Sequence, residues 1–169
     1  MTDYFEVHGR DGAARAGELR LADPLATPAL VDDSVEDAGS LWSEDREVPR
    51  GYRALLTVLP HRAFPAGTDD AVQEAFAVDY PDVDYPSAAV VTSDTAADHG
   101  ADAYVLSDAP GFVGHAAMFR EEIIAAREAL PPDAALYLSG VATPRNAATL
   151  AYAGVDLLDA KRARARGLQ

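Results

Sequence analysis

ALYLSGVATPRNAATLAYAGVDLLD, residues 135–159, carries two short apolar runs separated by a segment with helix-forming composition. The runs ALYL and VDLL have the length and bounding residues that are typical of buried strands. Between them, Thr143 suits an N-cap, Pro144 the first helical position and Gly154 the residue that ends a helix. The stretch therefore predicts a strand, a crossover helix and a second strand paired in parallel with the first.

The same alternation of strands and helices extends toward the amino terminus. Residues 115–130 form the clearest helix, because apolar residues recur on one face of a 3.6-residue period and Pro131 stops the pattern. A β-hairpin is predicted over residues 4–21 and another helix over 69–78. The remaining predicted strands are ATPALVD (26–32), YRALLTVLP (52–60), AAVVTS (88–93) and AYVLSD (103–108). This order predicts an α/β fold, either a (β/α) barrel or an open doubly wound sheet.

Composition excludes several classes of protein. The chain has 169 residues, the length of one domain, and 49% of them are hydrophobic, which is typical of a folded globular protein. No apolar run approaches the ~20 residues of a membrane span, and no secretory signal pattern is visible, so we expect a cytoplasmic protein without a membrane partner. Cysteine is absent, which excludes disulfides, thiolate catalysis and cysteine-ligated metals within this chain.

The charge balance is strongly acidic, with 28 acidic and 14 basic residues and a net charge of −14. Because the acids are scattered, we interpret them as the solvated surface of a protein adapted to a salty cytoplasm, where salt screens their mutual repulsion. Net negative charge of this kind does not exclude a nucleic-acid partner, and only local basic patches are informative.

One such patch follows the last predicted strand and comprises Lys161, Arg162, Arg164 and Arg166. These cations are candidates for contacts with RNA phosphates. They are equally compatible with the solvent-exposed side of a final helix, so the two interpretations stay open.

Polar or turn-forming residues end every predicted strand. In parallel α/β folds these ends lie at one face, which carries the active site. A structural alternative is that such residues form turns or cap helices. The residues concerned are Asp32, His61, Ser93, Asp94, Ser107, Asp108, Ser139, Gly140 and Asp159. Neither a dinucleotide-binding glycine motif nor a P-loop is present, and the histidines lack metal-ligand spacing.

Both ends of the chain resemble archaeal tRNA-guanine transglycosylases. At the carboxyl end the resemblance lies in LPPD (130–133), the strand ending in Gly140, and AGVDLLDA (153–160). At the amino end it lies in the hairpin of residues 4–21 and in TPAL (27–30). Within that family, the chain is most similar to the transglycosylase-like domain of haloarchaeal archaeosine synthases.

The resemblance implies a fold and a chemistry. The family fold is a (β/α)8 barrel, so the resemblance implies a TIM-barrel type that is incomplete or compacted, with residues 1–169 as one domain and an N-terminal hairpin over 1–22. The family exchanges a base at a tRNA nucleotide by means of an aspartate nucleophile and a second catalytic aspartate. A carboxylate suits this task because it stabilises and captures an oxocarbenium-like transition state.

The resemblance also implies roles for individual residues. Asp159 matches the nucleophile, Asp156 a supporting position and Gly140 the glycine near the base-binding pocket. We expect Ser139, which precedes Gly140, to bind substrate together with Gly140 and Asp156. The family's D-S-G-G-F motif is absent, and Asp94 and Asp108 are the nearest substitutes for its second catalytic aspartate. The family's zinc ligands are also absent, so no cofactor is expected within this chain.

Two functional hypotheses follow from the resemblance. In the first, the chain is the transglycosylase-like part of an enzyme of archaeosine biosynthesis that acts on 7-deazaguanine in the tRNA D-loop. In the second, it is a non-catalytic module that binds tRNA or protein. The expected partners are tRNA and either further domains or subunits of the enzyme or a second copy of the chain, since an incomplete barrel would expose strand edges.

Overall fold

The computed structural model describes residues 4–39, 47–61, 68–75, 80–92, 99–112 and 114–167. Strands and helices alternate through the second half of the chain, and the amino-terminal part is made of strands. The strands are β1 (Phe5–Asp11), β2 (Ala14–Leu19), β3 (Leu25–Thr27), β4 (Ala29–Leu30), β5 (Val35–Asp37), β6 (Leu56–Val58), β7 (Ser87–Val91), β8 (Ala103–Leu106), β9 (Ala135–Leu138) and β10 (Leu157–Leu158). The helices are α1 (Asp70–Ala75), α2 (Ala109–Phe112), α3 (Ala116–Ala129), α4 (Ala147–Tyr152) and α5 (Lys161–Ala165).

Two sheets are built from these strands. The strands β1, β2 and β3 form an antiparallel sheet, so the predicted hairpin is confirmed and gains a third strand. The other seven strands form a parallel sheet in the order β4-β10-β9-β8-β7-β6-β5. The predicted α/β fold with parallel pairing is therefore confirmed.

The parallel sheet is curled, because its two edge strands are neighbours in the chain. Between β4 and β5, the Val31 amide donates to Leu158 O at 2.8 Å and Ser34 O accepts from the Leu56 amide at 3.0 Å. The Ser34 amide also donates to Val31 O at 2.9 Å, which closes a turn. Val31 is thus bonded to β10 and Ser34 to β6. These two residues are three apart in the chain, so their Cα atoms lie within about 11 Å of each other, whereas β10 and β6 would be about 19 Å apart in a flat sheet. The sheet therefore bends until both edges meet at this turn.

Alternate residues of the parallel strands face two separate apolar cores. The outer face packs against the helices: Leu136 and Leu158 lie with Ile123, Ala126 and Leu130, the last three from the α3 segment. This confirms the apolar face predicted for that helix. In the described ranges no helical residue belongs to the inner-face core, which the curled sheet encloses. It consists of Phe5, Leu19, Val31, Leu56, Val58, Ala88, Ala103, Val105, Ala135, Tyr137 and Leu157.

The antiparallel sheet covers the inner core at the amino ends of the parallel strands. Phe5 and Leu19 are 4% and 0% exposed and belong to the inner core. Arg15 of β2 forms a buried ion pair with Asp156, which immediately precedes β10. Arg15 also donates to Pro132 O at 2.8 Å and Ala134 O at 3.0 Å. The hairpin thus closes one end of the curled sheet and leaves the carboxyl ends at the other.

Several predicted boundaries are wrong. The predicted strand 26–32 is divided between β3 and β4, which belong to different sheets. The helix predicted to start at Pro144 begins instead at Ala147, because the Asn146 side chain accepts from the Thr143 amide at 2.7 Å and holds a turn there. The carboxyl end of the predicted helix 69–78 lies outside the described residues.

Two elements were missed by sequence reasoning. Val35–Asp37 lies outside every predicted strand, yet it forms β5, which pairs in parallel with β6. Ala109–Phe112 lies outside every predicted helix, yet it forms the short helix α2. Ala109 is 0% exposed, and its burial in the outer core stabilises that helical turn.

Candidate functional site

The carboxyl ends of β9 and β10 bring together a group of polar residues around Asp159. Leu157 faces the inner core, so Asp159, two residues later, projects to the same side. The register pairs Leu157 with Tyr137, which places Ser139 beside Asp159 on the adjacent strand end. The Asp159 side chain is 0% exposed. The predicted proximity of Asp159, Ser139 and Gly140 is therefore what the structure shows.

Both carboxylate oxygens of Asp159 accept hydrogen bonds. The hydroxyl groups of Tyr137 and Ser139 donate to Oδ2 at 2.8 and 2.7 Å. The backbone amides of Gly140 and Lys161 donate to Oδ1 at 3.0 and 3.2 Å. Gly140 has φ of +72°, a conformation that favours glycine and turns its amide toward the carboxylate. We call Asp159, Tyr137, Ser139, Gly140 and Lys161 the Asp159 cluster.

These donors decide the charge of the carboxyl group. Burial alone would raise the pKa of Asp159, but the bonds from Ser139, Gly140, Tyr137 and Lys161 outweigh it and lower the pKa. Burial, followed by the bond to Asp159, raises the pKa of Tyr137, so its phenol stays a proton donor. Asp159 is accordingly an anion at neutral pH.

A lysine lies above this buried anion. Lys161 Nζ is 3.6 Å from Asp159 Oδ2 and 3.3 Å from Ser139 Oγ, and its side chain is 65% exposed. The carboxylate of this ion pair is therefore buried, and the lysine is in solvent. Such an arrangement holds a cation at the surface in a defined place.

Asp32, at the carboxyl end of β4, contacts the same segment of chain from the neighbouring strand. Its oxygens accept from the Ala160 amide at 3.2 and 3.1 Å, and Arg164 Nη1 lies 3.2 Å from Oδ1. Asp32 and Asp159 thus hold the consecutive amides of Ala160 and Lys161, which lead into α5. In the sequence Asp32 stood out only as a residue that ends a strand, and Tyr137 only as part of an apolar run.

The structure separates other predicted site residues from this cluster. Asp156 lies at the opposite end of β10, where both oxygens meet Arg15 and Oδ2 also accepts from the Leu136 amide at 2.7 Å. It is therefore an anchor for the hairpin, and the substrate-binding position implied for it is not at the carboxyl-end face. Asp108 follows β8, two strands from β10, about 10 Å away in a sheet. Asp94 lies outside the described residues.

The four predicted RNA-contacting cations lie on α5 or directly after it. Lys161 and Arg164 are the two that contact acidic groups. Arg162 is half-buried and Arg166 is exposed, and neither has a carboxylate within 4 Å in the described part of the chain. The α5 segment therefore presents positive charge beside the carboxyl ends of β9 and β10.

Two further properties concern the described residues as a whole. Within the described ranges, no group of three or more acidic or histidine side chains is arranged to hold a metal ion. None of the helices in that part of the chain combines the length and apolar character that a bilayer crossing requires.

Comparison with known proteins gives a direct match. No protein-family model matches the chain. Over 169 residues, 100% of this chain, it is 69% identical to the archaeosine synthase of Haloferax volcanii, of which it covers 29%. The chain is homologous to one part of archaeosine synthase.

A second archaeosine synthase agrees with this match. The archaeosine synthase subunit alpha of Methanosarcina acetivorans is 31% identical over 188 aligned positions, which cover 96% of this chain and 30% of that protein. The predicted similarity to haloarchaeal archaeosine synthases is therefore confirmed. The chain spans less than a third of the length of either archaeosine synthase.

Proposed function

We propose that this chain takes part in archaeosine formation in tRNA, as the transglycosylase-like part of an enzyme that acts on 7-deazaguanine in the D-loop. The observation that carries the proposal is the 69% identity to an archaeosine synthase across the whole chain. The position of the Asp159 cluster supports it, because catalytic and binding groups of parallel α/β folds lie at the carboxyl ends of the strands.

The proposal includes a barrel of compact size. The two edges of the parallel sheet meet at the turn Val31–Ser34, and helices cover its outer face. We interpret this arrangement as a reduced (β/α) barrel that forms one domain over residues 1–169, with the hairpin closing its amino end. A complete TIM barrel has eight parallel strands. The sheet here has seven short ones, and β4 and β5 are parts of one bent segment.

Within this site, we propose that α5 is the surface that binds tRNA and that Asp159 holds α5 in position. The Asp159 carboxylate is 0% exposed and engaged by four hydrogen-bond donors, so in this conformation it has no path to a sugar carbon. Its role as a nucleophile stays a prediction that requires Lys161 and Ser139 to move. Partners beyond tRNA are proposed from the length of the archaeosine synthases, and one of them is called a subunit.

A second candidate is a non-catalytic module that binds tRNA. It is favoured by the burial of Asp159 and by the absence of the D-S-G-G-F motif. Both candidates use the carboxyl-end face, but they differ in whether Asp159 takes part in chemistry.

One experiment separates the two candidates. The complete protein is incubated with a tRNA that carries the 7-cyano-7-deazaguanine precursor and with lysine as the nitrogen donor that adds to the nitrile, and the nucleosides are analysed by mass spectrometry. We expect archaeosine to form. If Asp159→Asn abolishes product formation while tRNA binding and folding stay intact, Asp159 takes part in catalysis. If it changes only tRNA binding, the module interpretation is correct.

A further inference from the structure

The helix α5 is held at its entry by two carboxylates from different strands. Asp159, after β10, accepts from the Lys161 amide at 3.2 Å, and Asp32, after β4, accepts from the Ala160 amide at 3.1 Å. Asp32 additionally lies 3.2 Å from Arg164, one turn further along. Ala163, between these contacts, is 9% exposed and packs against the fold. The orientation of α5 is therefore fixed by contacts on two adjacent strand ends.

The Asp32 carboxylate is largely buried, although the arginine that it contacts is exposed. Its side chain is 12% exposed, whereas the Arg164 side chain that it holds is 67% exposed. The carboxylate is consequently beneath the cation and the guanidinium is in solvent. Asp32 engages the Nη1 group of Arg164, and because the Arg164 side chain is 67% exposed, other donors of its guanidinium are accessible to a ligand.

We propose that Asp32 is a positioning residue for RNA binding: together with Asp159 it holds α5 so that Arg164 and its neighbouring cations contact phosphates of tRNA. This proposal rests on the proposed function, because that function identifies the RNA as tRNA. It assigns to Asp32 a role that neither the sequence motifs nor the likeness to archaeosine synthases indicates.

The proposal predicts the direction in which the affinity for RNA changes when Asp32 is removed. A carboxylate near a phosphate repels it, so removal of an acid near an RNA-binding surface normally raises the affinity for RNA. If Asp32 positions α5, its removal instead lowers the affinity, because the cations lose their common orientation. The two effects are opposite, so the direction of the change distinguishes them.

The test compares Asp32→Ala and Asp32→Asn with Asp33→Ala in the complete protein. Asp33 is the next residue, is exposed, and offers the same change of charge without a contact to α5. The dissociation constant for an in vitro tRNA transcript is measured across a series of KCl concentrations, at a temperature where circular dichroism shows every variant folded. Arg166→Gln serves as a reference for the loss of one cation.

We expect Asp32→Ala to bind the transcript about fivefold more weakly, the upper range for one exposed charge pair. The slope of log affinity against log salt should become shallower by roughly 1, the value for one lost phosphate contact. Asp32→Asn should lie between Asp32→Ala and the unchanged protein, because asparagine keeps an acceptor for the Ala160 amide but loses the charge opposite Arg164. Asp33→Ala should bind equally well or more tightly.

Equal or tighter binding by Asp32→Ala would overturn the proposal, whether or not Arg166→Gln has an effect. The same samples are assayed for archaeosine formation, which keeps the two ideas apart. Weaker binding by Asp32→Ala without archaeosine formation by the unchanged protein supports the positioning role and removes the proposed function. Archaeosine formation with unaffected binding in Asp32→Ala removes the positioning role and leaves the proposed function.

Discussion

Substituting Asp156 by asparagine should remove a large part of the stability of the fold. The Arg15 and Asp156 side chains are 3% and 1% exposed, and the pair joins the hairpin to the amino end of β10. Breaking a buried ion pair by removing one charge costs about 3–5 kcal/mol, because the remaining charge is left without compensation in a dry environment. Since domains are stable by only about 5–15 kcal/mol, this is a substantial fraction of the total.

Chemical denaturation followed by far-UV circular dichroism measures this loss as a change in the free energy of unfolding. The matched control is Glu6→Gln, which breaks the exposed pair with Arg20 in the same hairpin, where the side chains are 51% and 53% exposed. That change should cost at most about 1 kcal/mol. High salt should reduce the effect of Glu6→Gln more than that of Asp156→Asn, because buried pairs are screened less. A loss for Asp156→Asn no larger than that of the control would refute this account of the hairpin.

Three further predictions concern the Asp159 cluster and the turn before β10. Tyr137→Phe removes one buried donor to Asp159 and should lower the free energy of unfolding by about 1–2 kcal/mol in the same assay. Because the folded protein has a lowered pKa for Asp159, its ionised form contributes stability above the unfolded pKa of about 4, and this is lost as pH falls further. The stability difference between the unchanged protein and Asp159→Asn should therefore be constant near neutral pH and shrink below about pH 4. Gly154→Ala should cost more than Gly140→Ala, because a Cβ at residue 154 would lie 2.8 Å from Ala13 O while the space at residue 140 is open.

The parts of the fold that could be predicted from sequence are those with strong local patterns. The helix of residues 116–129 was predicted within one residue at each end, because its apolar period and the prolines after it are local signals. β5 gave no such signal, since Val35 is its single apolar residue. It forms a strand because the curl of the sheet brings it beside β6, which is a tertiary effect.

The same distinction applies to the candidate site. The rule that parallel strands end at one face was enough to group Asp159 with Ser139 and Gly140. The roles of Tyr137 and Asp32 depend on the register between β9 and β10 and on the pairing of β4 with β10. Neither can be read from one sequence, because a shift of one residue would turn each side chain to the opposite face.

The expectation of self-association also changes with the structure. It rested on exposed edges of an incomplete barrel, whereas the two edges of the parallel sheet meet at the turn Val31–Ser34. Association of this chain with a second copy stays a prediction, but exposed sheet edges no longer support it. The greater length of the archaeosine synthases favours other domains or subunits as partners instead.

The most direct test of the account is the archaeosine content of tRNA from cells that lack the gene for this protein. Nucleosides from total tRNA are separated and identified by mass spectrometry, with a strain carrying the restored gene as control. The account predicts that archaeosine disappears, that its 7-deazaguanine precursor accumulates in tRNA, and that the restored gene reverses both changes. Archaeosine at the same level in all strains, with no precursor accumulating, would contradict it.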